Sequence, residues 1–207
     1  MIDDRQLKNI LEAALVAAGR PLSIAHMEAL FTDSERPLTG RVIEALARLQ
    51  EEYERRGVRV VEVAGGYRIQ TAAETTPWVS RLWEERPPRY SRALLETLAL
   101  IAYRQPITRG EIEEVRGVAV STHIVKTLLE RDWVRVIGHR EVPGRPAMYG
   151  TTRAFLNYFN LKGLDELPTL AELRDLANLH AELDLPPSSD AANEPEAPPS
   201  DAVGDTP

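Results

Sequence analysis

The side chains best suited to chemistry in this sequence are four histidines and a short run of glutamates. The histidines are His26, His123, His139 and His180. Two imidazoles four residues apart on one helix can share a metal ion, but no two of these histidines have that spacing. Glu111, Glu113 and Glu114 fall on one predicted helix, where capping and solvation explain them better than acid–base catalysis. No metal-ligating or catalytic set follows from these residues.

The sequence also lacks the short motifs on which phosphate binding and acyl transfer depend. It contains no GxxxxGK[ST] loop, no GxGxxG turn, no HExxH pair and no GxSxG elbow. It has no cysteine, which excludes a thiolate nucleophile, a disulfide framework and cysteine-based zinc or iron–sulfur sites. We therefore predict a protein that is not an enzyme, with no catalytic residue, no metal site and no cofactor.

Arginines in two short segments of the sequence remain as candidates for binding a partner. Tyr103-Arg104-Gln105 ends a predicted helix, where a cation at position 104 is explained equally well by the helix dipole and by a partner contact. The loop 139–146 carries Arg140 and Arg145 together with Pro143 and Pro146. A rigid loop that projects basic groups suits an anion or a protein partner.

Length and composition limit the class of protein. The chain has 207 residues, a mass of 23.1 kDa and 43% hydrophobic residues, enough for one large or two small domains with their own cores. No run reaches the ~20 apolar residues of a membrane span, and the N-terminus lacks the basic and apolar regions of a signal peptide. A soluble cytoplasmic protein is expected.

The formal net charge of −7 is unevenly distributed. Residues 1–86 carry a net charge of −2 and residues 87–162 a net charge of +5, whereas residues 163–185 and 186–207 carry −5 each. The last segment also holds six of the fifteen prolines and one large aliphatic residue, Val203. Because it cannot bury enough apolar surface to offset its ordering entropy, we predict a disordered acidic tail there, either solubilising or an interaction segment.

An internal repeat divides the chain before that tail. Residues 11–23 resemble residues 95–108, and Met27 matches Ile112 further along. Two more pairs follow the same offset, Glu28 with Glu113 and Leu30 with Val115. A period of 85 residues is too long for a solenoid unit and indicates two copies of one small domain.

Each copy shows the same order of elements. The first has predicted helices over residues 4–18, 24–31 and 39–56 and strands over residues 58–64 and 67–71. The second has helices over residues 91–104, 108–117 and 121–131 and strands over residues 133–138 and 147–151. Gly65-Gly66 predicts a two-residue hairpin turn, Thr108 and Glu111 have capping-box spacing, and Leu129 is expected to face inward. Three helices followed by a hairpin make a winged-helix domain, so we predict a mainly α, α+β fold with two of these domains in tandem.

The predicted boundaries follow from this repeat and from the charge pattern. They are an N-terminal winged-helix domain at 1–86, a C-terminal one at 87–162, a leucine-striped helical extension at 163–185 and the acidic tail at 186–207. Pro87-Pro88 stiffens the junction. A short connecting helix is expected just before it, with Trp78, Leu82 and Trp83.

Winged helices often bind DNA through the third helix and the loop of the hairpin. Helix 39–56 carries four basic and four acidic side chains and so has no electrostatic footprint. Helix 121–131 has only Lys126 and Arg131 against Glu130, which would support weak nonspecific association at most. A DNA-binding transcriptional regulator with two winged-helix domains is the alternative function.

Two longer stretches resemble a known family. Residues 98–118, LALIAYRQPITRGEIEEVRGV, look like the hallmark stretch of segregation and condensation protein B, and residues 141–152, EVPGRPAMYGTT, are similar to that family's second signature. Phe155-Leu156 and LDELP at 164–168 follow, as in the family. The resemblance spans roughly residues 4–174. It departs from the family locally, at Val120-Ser121-Thr122-His123 and at Asp132-Trp133.

The resemblance implies an accessory subunit of the bacterial chromosome condensin. Members have two winged-helix domains, dimerise through the N-terminal ones and bind the kleisin, segregation and condensation protein A, which bridges ATPases of the structural maintenance of chromosomes (SMC) family. The expected partners are a second copy of the chain, the kleisin and, through it, the SMC ATPase. At most weak nonspecific DNA contact and no membrane contact are expected, in a cytoplasmic, nucleoid-associated protein.

Candidate binding surfaces follow from this implied function. We expect the kleisin on the second domain, near its first helix and the corner at Tyr103, with apolar anchors for affinity and arginines for orientation. The predicted kleisin contacts are Leu98, Ile101, Tyr103, Arg104, Gln105, Arg116 and Arg145. Helix 4–18 or the segment 78–83 is the candidate dimer surface. The predicted dimer contacts are Leu7, Leu11, Trp78, Leu82 and Trp83.

Overall fold

The computed structural model describes residues 2–82, 90–169 and Glu172, and over these residues it contains eight α-helices and five strands. The helices are α1 (Asp4–Ala18), α2 (Ile24–Glu28), α3 (Thr39–Tyr53), α4 (Thr76–Val79), α5 (Arg92–Arg104), α6 (Arg109–Arg116), α7 (Thr122–Glu130) and α8 (Arg153–Tyr158). The strands are β1 (Val58–Val63), β2 (Gly66–Thr71), β3 (Ile107–Thr108), β4 (Val134–His139) and β5 (Ala147–Thr151). Short 3₁₀ turns cover Ala73–Thr75, Ser80–Leu82 and Leu164–Glu166. The fold is α+β with two small antiparallel sheets, as the sequence predicts.

Apolar side chains form two separate clusters within the compact unit that the chain forms up to Leu167. The first cluster lies among α1, α2, α3 and the β1–β2 hairpin, and its most buried members are Leu7, Leu11, Met27, Val42, Leu46 and Leu49. The second lies among α5, α6, α7 and the β4–β5 hairpin, and its most buried members are Leu98, Ile101, Ile112, Val120 and Leu128. We refer to residues 4–71 as the first repeat and to residues 90–167 as the second repeat.

The pairing of the sheets shows the same internal repeat. In the first repeat, Leu22 forms an isolated antiparallel bridge with Tyr67, with N–O distances of 2.8 and 2.9 Å. In the second repeat, Ile107 pairs with Tyr149 in the sheet β3–β5–β4. The chain just before the second helix of each repeat is thus tied to the last strand of its hairpin.

The helix ends follow the capping residues of the sequence. The Asp3 carboxylate accepts the amide of Gln6 at 2.7 Å at the start of α1, and Gly19 with φ 59° ends that helix. Thr108 and Glu111 form the capping box that their spacing predicts. Helix α3 ends at Tyr53 rather than at residue 56, because a tighter turn begins at Glu54.

The hairpin of the first repeat turns one residue earlier than the sequence suggests. Val63 pairs with Gly66, so Ala64 and Gly65 form the turn and Gly66 is the first residue of β2. Gly66 has φ 114°, and a Cβ there would lie 2.1 Å from the carbonyl oxygen of Leu22. The bridge between Leu22 and Tyr67 brings this carbonyl against the strand, so position 66 requires glycine for the close approach.

Leu129 and Trp133, two large side chains of the second repeat, differ in burial. Leu129, expected to face inward, is 39% exposed, because Leu128 occupies the core position of α7 and the next residue points about 100° away. Trp133 is buried, and its ring contacts Tyr90, Tyr158 and Phe159 with centroid distances of 5.0, 4.6 and 5.5 Å. These aromatic rings join the start of the second repeat to α8.

The residues from Pro168 belong to a separate unit, of which Pro168, Thr169 and Glu172 are described. Thr169 and Glu172 exchange hydrogen bonds of 2.6 and 3.2 Å in the pattern of a capping box. Beyond this start, the predicted leucine-striped helix lies outside the described residues. The predicted tail at 186–207, the Pro87-Pro88 junction and Trp83 also lie outside them.

We expect Gly66→Ala to lower the free energy of unfolding by about 1–3 kcal/mol, because alanine strains the backbone and meets the Leu22 carbonyl. Gly40→Ala in α3 is the matched control, since a Cβ there meets nothing within 4 Å. It is expected to be neutral or to stabilise by about 0.5–1 kcal/mol. Denaturant unfolding of both variants is the measurement, and equal stabilities would contradict the expectation.

Candidate partner-binding surface

A groove of about 430 Å³ lies where the end of α5 and the start of α6 face the β4–β5 loop. Its lining residues are Arg104, Pro106, Ile107, Glu111, Glu114, Val115 and Arg140. Three of these residues are apolar, Pro106, Ile107 and Val115, and the other four are charged. The groove has the volume of a small ligand or peptide side-chain site, about 300–1,000 Å³.

Gln105 holds the corner between α5 and β3 in place. Its side-chain oxygen accepts the amide of Thr151 at 2.8 Å, and its side-chain nitrogen donates to the Thr151 hydroxyl at 3.0 Å and to the Ala102 carbonyl at 3.2 Å. The side-chain carboxamide of Gln105 therefore joins the end of α5 to the end of β5. Gln105 thus has a structural role, and its predicted contact with the kleisin stays a prediction.

Glu111 fixes the opposite wall of the groove. One carboxylate oxygen accepts the Thr108 amide at 2.7 Å and the Thr108 hydroxyl at 3.0 Å, and the other accepts a guanidinium nitrogen of Arg140 at 2.5 Å. The hydrogen bond from the Thr108 backbone, with the contributions of the Thr108 hydroxyl and Arg140, lowers the pKa of Glu111 below its usual value. One carboxylate thus caps α6 and holds the β4–β5 loop against it.

The segment between α6 and α7 is tied down by a second charged pair. Glu113 accepts the Val120 amide at 2.9 Å and the Nε of Arg109 at 3.0 Å, while Arg109 also donates to the Val120 carbonyl. The hydrogen bond from Val120, followed by that from Arg109, lowers the pKa of Glu113. Glu111 and Glu113 therefore have structural roles, and Glu111 has the capping role that its spacing from Thr108 predicts.

Two charged side chains at the rim of the groove remain available. Arg104 and Glu114 are exposed, and neither makes a hydrogen bond or ion pair within the described part of the chain. Val115 is 45% exposed between them, and Tyr103 at the end of α5 is 37% exposed. An apolar residue flanked by one unpaired cation and one unpaired anion is suited to orienting a bound polypeptide.

Two of the predicted kleisin contacts are core residues instead. Leu98 and Ile101 are 3% and 2% exposed and belong to the second cluster. Their inclusion in a binding surface is corrected, because α5 turns them toward α6 and α7 and leaves no side-chain surface for a partner. They support the corner from beneath.

The two remaining arginines among those contacts differ in availability. Arg116 has a side chain only 11% exposed, and it donates to Glu96 of α5 at 3.2 Å. It therefore ties α6 to α5. Arg145 is exposed in the β4–β5 loop with φ 38°, and its contact with a partner stays a prediction.

The predicted dimer contacts separate in the same way. Leu7 and Leu11 are 1% and 0% exposed within the first cluster, so their place on a dimer surface is corrected. Trp78 and Leu82, in and just after α4, are 65% and 77% exposed. These two side chains stay candidates for the dimer surface, and Trp83 lies outside the described residues.

The groove also contains residues that sequence reasoning did not select. Val115 is 45% exposed. Leu30, the residue that Val115 matches in the first repeat, is 53% exposed. The sequence did not signal this exposure, because each lies three residues after a core residue, Met27 or Ile112, a spacing that predicts the same helix face. Arg140 was singled out only as a loop cation, because its partner Glu111 lies 29 residues earlier.

Other functional features are limited over the described residues. No group of three or more His, Asp or Glu side chains there could hold a metal ion. No helix in that part of the chain is both long and apolar enough to cross a membrane. In α7, the helix weighed for DNA contact, the Lys126 ammonium lies 3.6 Å from the Glu130 carboxylate.

The fold and the groove together define a class of protein. Two repeats of three helices and a hairpin, with a groove lined by apolar and charged side chains, favour an adaptor that binds a polypeptide partner. The family model for the segregation and condensation complex subunit ScpB matches residues 9–170. The segregation and condensation protein B homolog of Coxiella burnetii is 54% identical over 176 residues, which cover 84% of each protein. This chain belongs to the segregation and condensation protein B family.

Solved structures give similar matches. The crystal structure of ScpB from Mycobacterium tuberculosis is 32% identical, covers 78% of this chain and 99% of that chain, and has a TM-score of 0.37. A crystal structure of a dimer of the ScpB N-terminal domain complexed with ScpA peptide is 28% identical, covers 39% of this chain and 92% of that chain, and has a TM-score of 0.33.

We expect Glu111→Ala to lower the free energy of unfolding by about 1 kcal/mol near pH 7, because a helix cap and the partner of Arg140 are lost together. The folded pKa of Glu111 lies below the ordinary value of 4.5. The stabilisation is therefore complete above that value and is lost as the pH falls through the folded pKa. Denaturant unfolding near pH 7 and near pH 3 measures both effects.

The control for this variant is Glu114→Ala, which removes an exposed carboxylate from the same helix. It should change stability by no more than about 0.5 kcal/mol at either pH. A loss for Glu111→Ala that is the same at both pH values would contradict the role of its ionised carboxylate.

Proposed function

We propose that this chain is a non-catalytic condensin subunit that dimerises and binds the kleisin, segregation and condensation protein A. The solved relative described above is a dimer of the ScpB N-terminal domain complexed with ScpA peptide, and the same two partners are proposed here. Because that peptide is bound to an N-terminal domain, a kleisin contact on residues 1–86 is the alternative to the groove on the second repeat. The SMC ATPase would be reached through the kleisin, in a cytoplasmic, nucleoid-associated complex that supports chromosome condensation and segregation. The single observation that carries the placement of the kleisin is the groove with Arg104, Val115 and Glu114 at its edge.

The two repeats are proposed to be separate winged-helix domains with different tasks. Their boundaries are those of the charge pattern, 1–86 for the dimerising domain and 87–162 for the kleisin-binding domain. The order of three helices and a hairpin in each repeat supports this division. So does the separation of the two apolar clusters.

The kleisin segment is proposed to bury an apolar side chain against Pro106 and Val115. This contact would supply most of the affinity, because a few central apolar contacts dominate most interfaces. Arg104 would pair with an acidic residue of the segment, and Glu114 with a basic one, which would fix its direction. Arg140 is already paired with Glu111 and would shape the wall rather than pair with the kleisin.

The dimer is proposed to form around Trp78 and Leu82. Both are large apolar side chains that are mostly exposed and lie four residues apart in one turn of chain. Large apolar side chains that are exposed close together are typical of a surface that a partner covers.

The double variant Arg104→Glu, Val115→Glu should weaken kleisin binding by about tenfold or more, because it removes the apolar anchor and reverses the orienting charge. Co-expression with a candidate kleisin, followed by affinity purification and mass measurement, gives the result. The matched control is Leu30→Glu, at the equivalent exposed position of the first repeat. Full binding by the double variant would contradict the placement, and so would a loss seen only with Leu30→Glu.

The double variant Trp78→Asp, Leu82→Asp should convert a dimer of the full chain into a monomer, because two carboxylates would have to be desolvated at the interface. Light scattering over a range of concentrations measures the mass. The control is Leu38→Asp, which has the same exposed fraction as Leu82, 77%, and lies at the start of α3. A variant that remains dimeric would contradict the placement of the interface at Trp78 and Leu82.

A further inference from the structure

Hydrogen bonds and an ion pair connect the two repeats. The two apolar clusters share no residue, and Val63, which is 3% exposed beside the hairpin turn, belongs to neither. The polar contacts join the tip of the β1–β2 hairpin to the chain around the end of α8. We name this set of contacts the tip contact; it comprises Glu62, Ala64, Gly65 and Arg68 on one side and Asn157, Asn160, Leu161 and Lys162 on the other.

Two consecutive backbone amides of the hairpin turn form the centre of the tip contact. The amide of Ala64 donates to the Leu161 carbonyl at 2.9 Å, and the amide of Gly65 donates to the side-chain oxygen of Asn157 at 2.8 Å. The residues of a two-residue turn have no partner in the hairpin ladder. The second repeat therefore satisfies both donors that the turn leaves unpaired.

Two side-chain pairs flank these amides. A guanidinium nitrogen of Arg68 donates to the side-chain oxygen of Asn160 at 2.5 Å, and the Lys162 ammonium lies 2.9 Å from the Glu62 carboxylate. Asn160 has φ 58°, a conformation that asparagine tolerates well at the end of a helix. The tip contact is thus specific in geometry on both sides of the turn.

Gly65 is fitted closely into the tip contact. A Cβ at this position would lie 2.9 Å from both amide atoms of Asn157 and 3.0 Å from the Cβ of Pro21. The Asn157 side chain can approach the turn only because residue 65 has no side chain. The close approach ties residue 65 to the second repeat, whereas Gly66 serves the first repeat alone.

We propose that the tip contact is a reversible latch that sets the orientation of the two repeats, and that its opening lets them move independently. Polar contacts at a partly exposed interface are weak in net terms, because water competes for each group. Small polar interfaces within a chain normally permit relative domain motion. The latch would therefore give one preferred arrangement and a minor open one, which a partner that holds both repeats could shift.

The absence of cysteine allows a direct test of the latch in the full chain. Ala47→Cys on the exposed face of α3 and Lys126→Cys on that of α7 accept a pair of spin labels or fluorophores, one in each repeat. We expect one narrow distance distribution for the labelled chain. Adding Asn157→Ala and Lys162→Glu should raise the population outside that distribution by at least about tenfold.

Two further variants distinguish the latch from loss of folding. Gly65→Ala should broaden the distribution by displacing Asn157, while circular dichroism and the unfolding of each repeat stay unchanged. In a chain with Lys162→Glu alone, Glu62→Lys should restore part of the narrow distribution by reversing the ion pair. The matched control is Lys8→Glu, which breaks an ion pair with Glu52 inside the first repeat and should leave the distance unchanged.

Two results would overturn the latch. One is a narrow distribution that survives Asn157→Ala with Lys162→Glu, since the repeats would then be held by something else. The other is a distribution already broad in the labelled parent and unchanged in every variant, since the tip contact would then hold nothing in solution. Neither readout depends on the kleisin. Mixing the labelled chain with an excess of unlabelled chain restricts the measured distances to those within one protomer when the chain is a dimer.

Discussion

Each repeat depends on the short antiparallel pairing between the chain before its second helix and the last strand of its hairpin. Leu22 with Tyr67 and Ile107 with Tyr149 make this pairing. It closes the helices over the hairpin and fixes the corner from which the second helix starts. In the second repeat that corner forms the edge of the groove. In the first, the same closure holds the hairpin whose tip meets α8.

Local sequence signals predicted the fold because the fold uses local interactions. The capping box at Thr108 and Glu111 and the left-handed glycines after α1 and α6 depend on neighbours within one turn. The predicted turn, Gly65-Gly66, is one residue later than the observed turn, Ala64-Gly65, because the position of the turn depends on a contact with a distant residue. Gly66 is needed for the approach of Leu22, which is 44 residues away and cannot be read from the hairpin alone.

The site could be predicted less well, because burial and pairing are long-range properties. Leu98 and Ile101 lie in the same hallmark stretch as Tyr103 and Arg104, but α5 turns the first two inward. A motif marks residues that matter to a family without separating core from surface. Charge has the same limit: Arg116 is paired across helices with Glu96, and the sequence alone does not separate such a paired cation from an unpaired one.

The two repeats differ in the length of the connection between their hairpin strands. In the first repeat two residues, Ala64 and Gly65, join the strands, so the tip is narrow and presents two free amides. In the second repeat residues 140–146 join them, and this longer loop bonds to itself and reaches α6 through Arg140. The narrow tip of the first hairpin packs against the second repeat, whereas the longer loop of the second hairpin forms one wall of the groove. The two repeats therefore use the hairpin differently: the first for a contact within the chain, and the second for the groove.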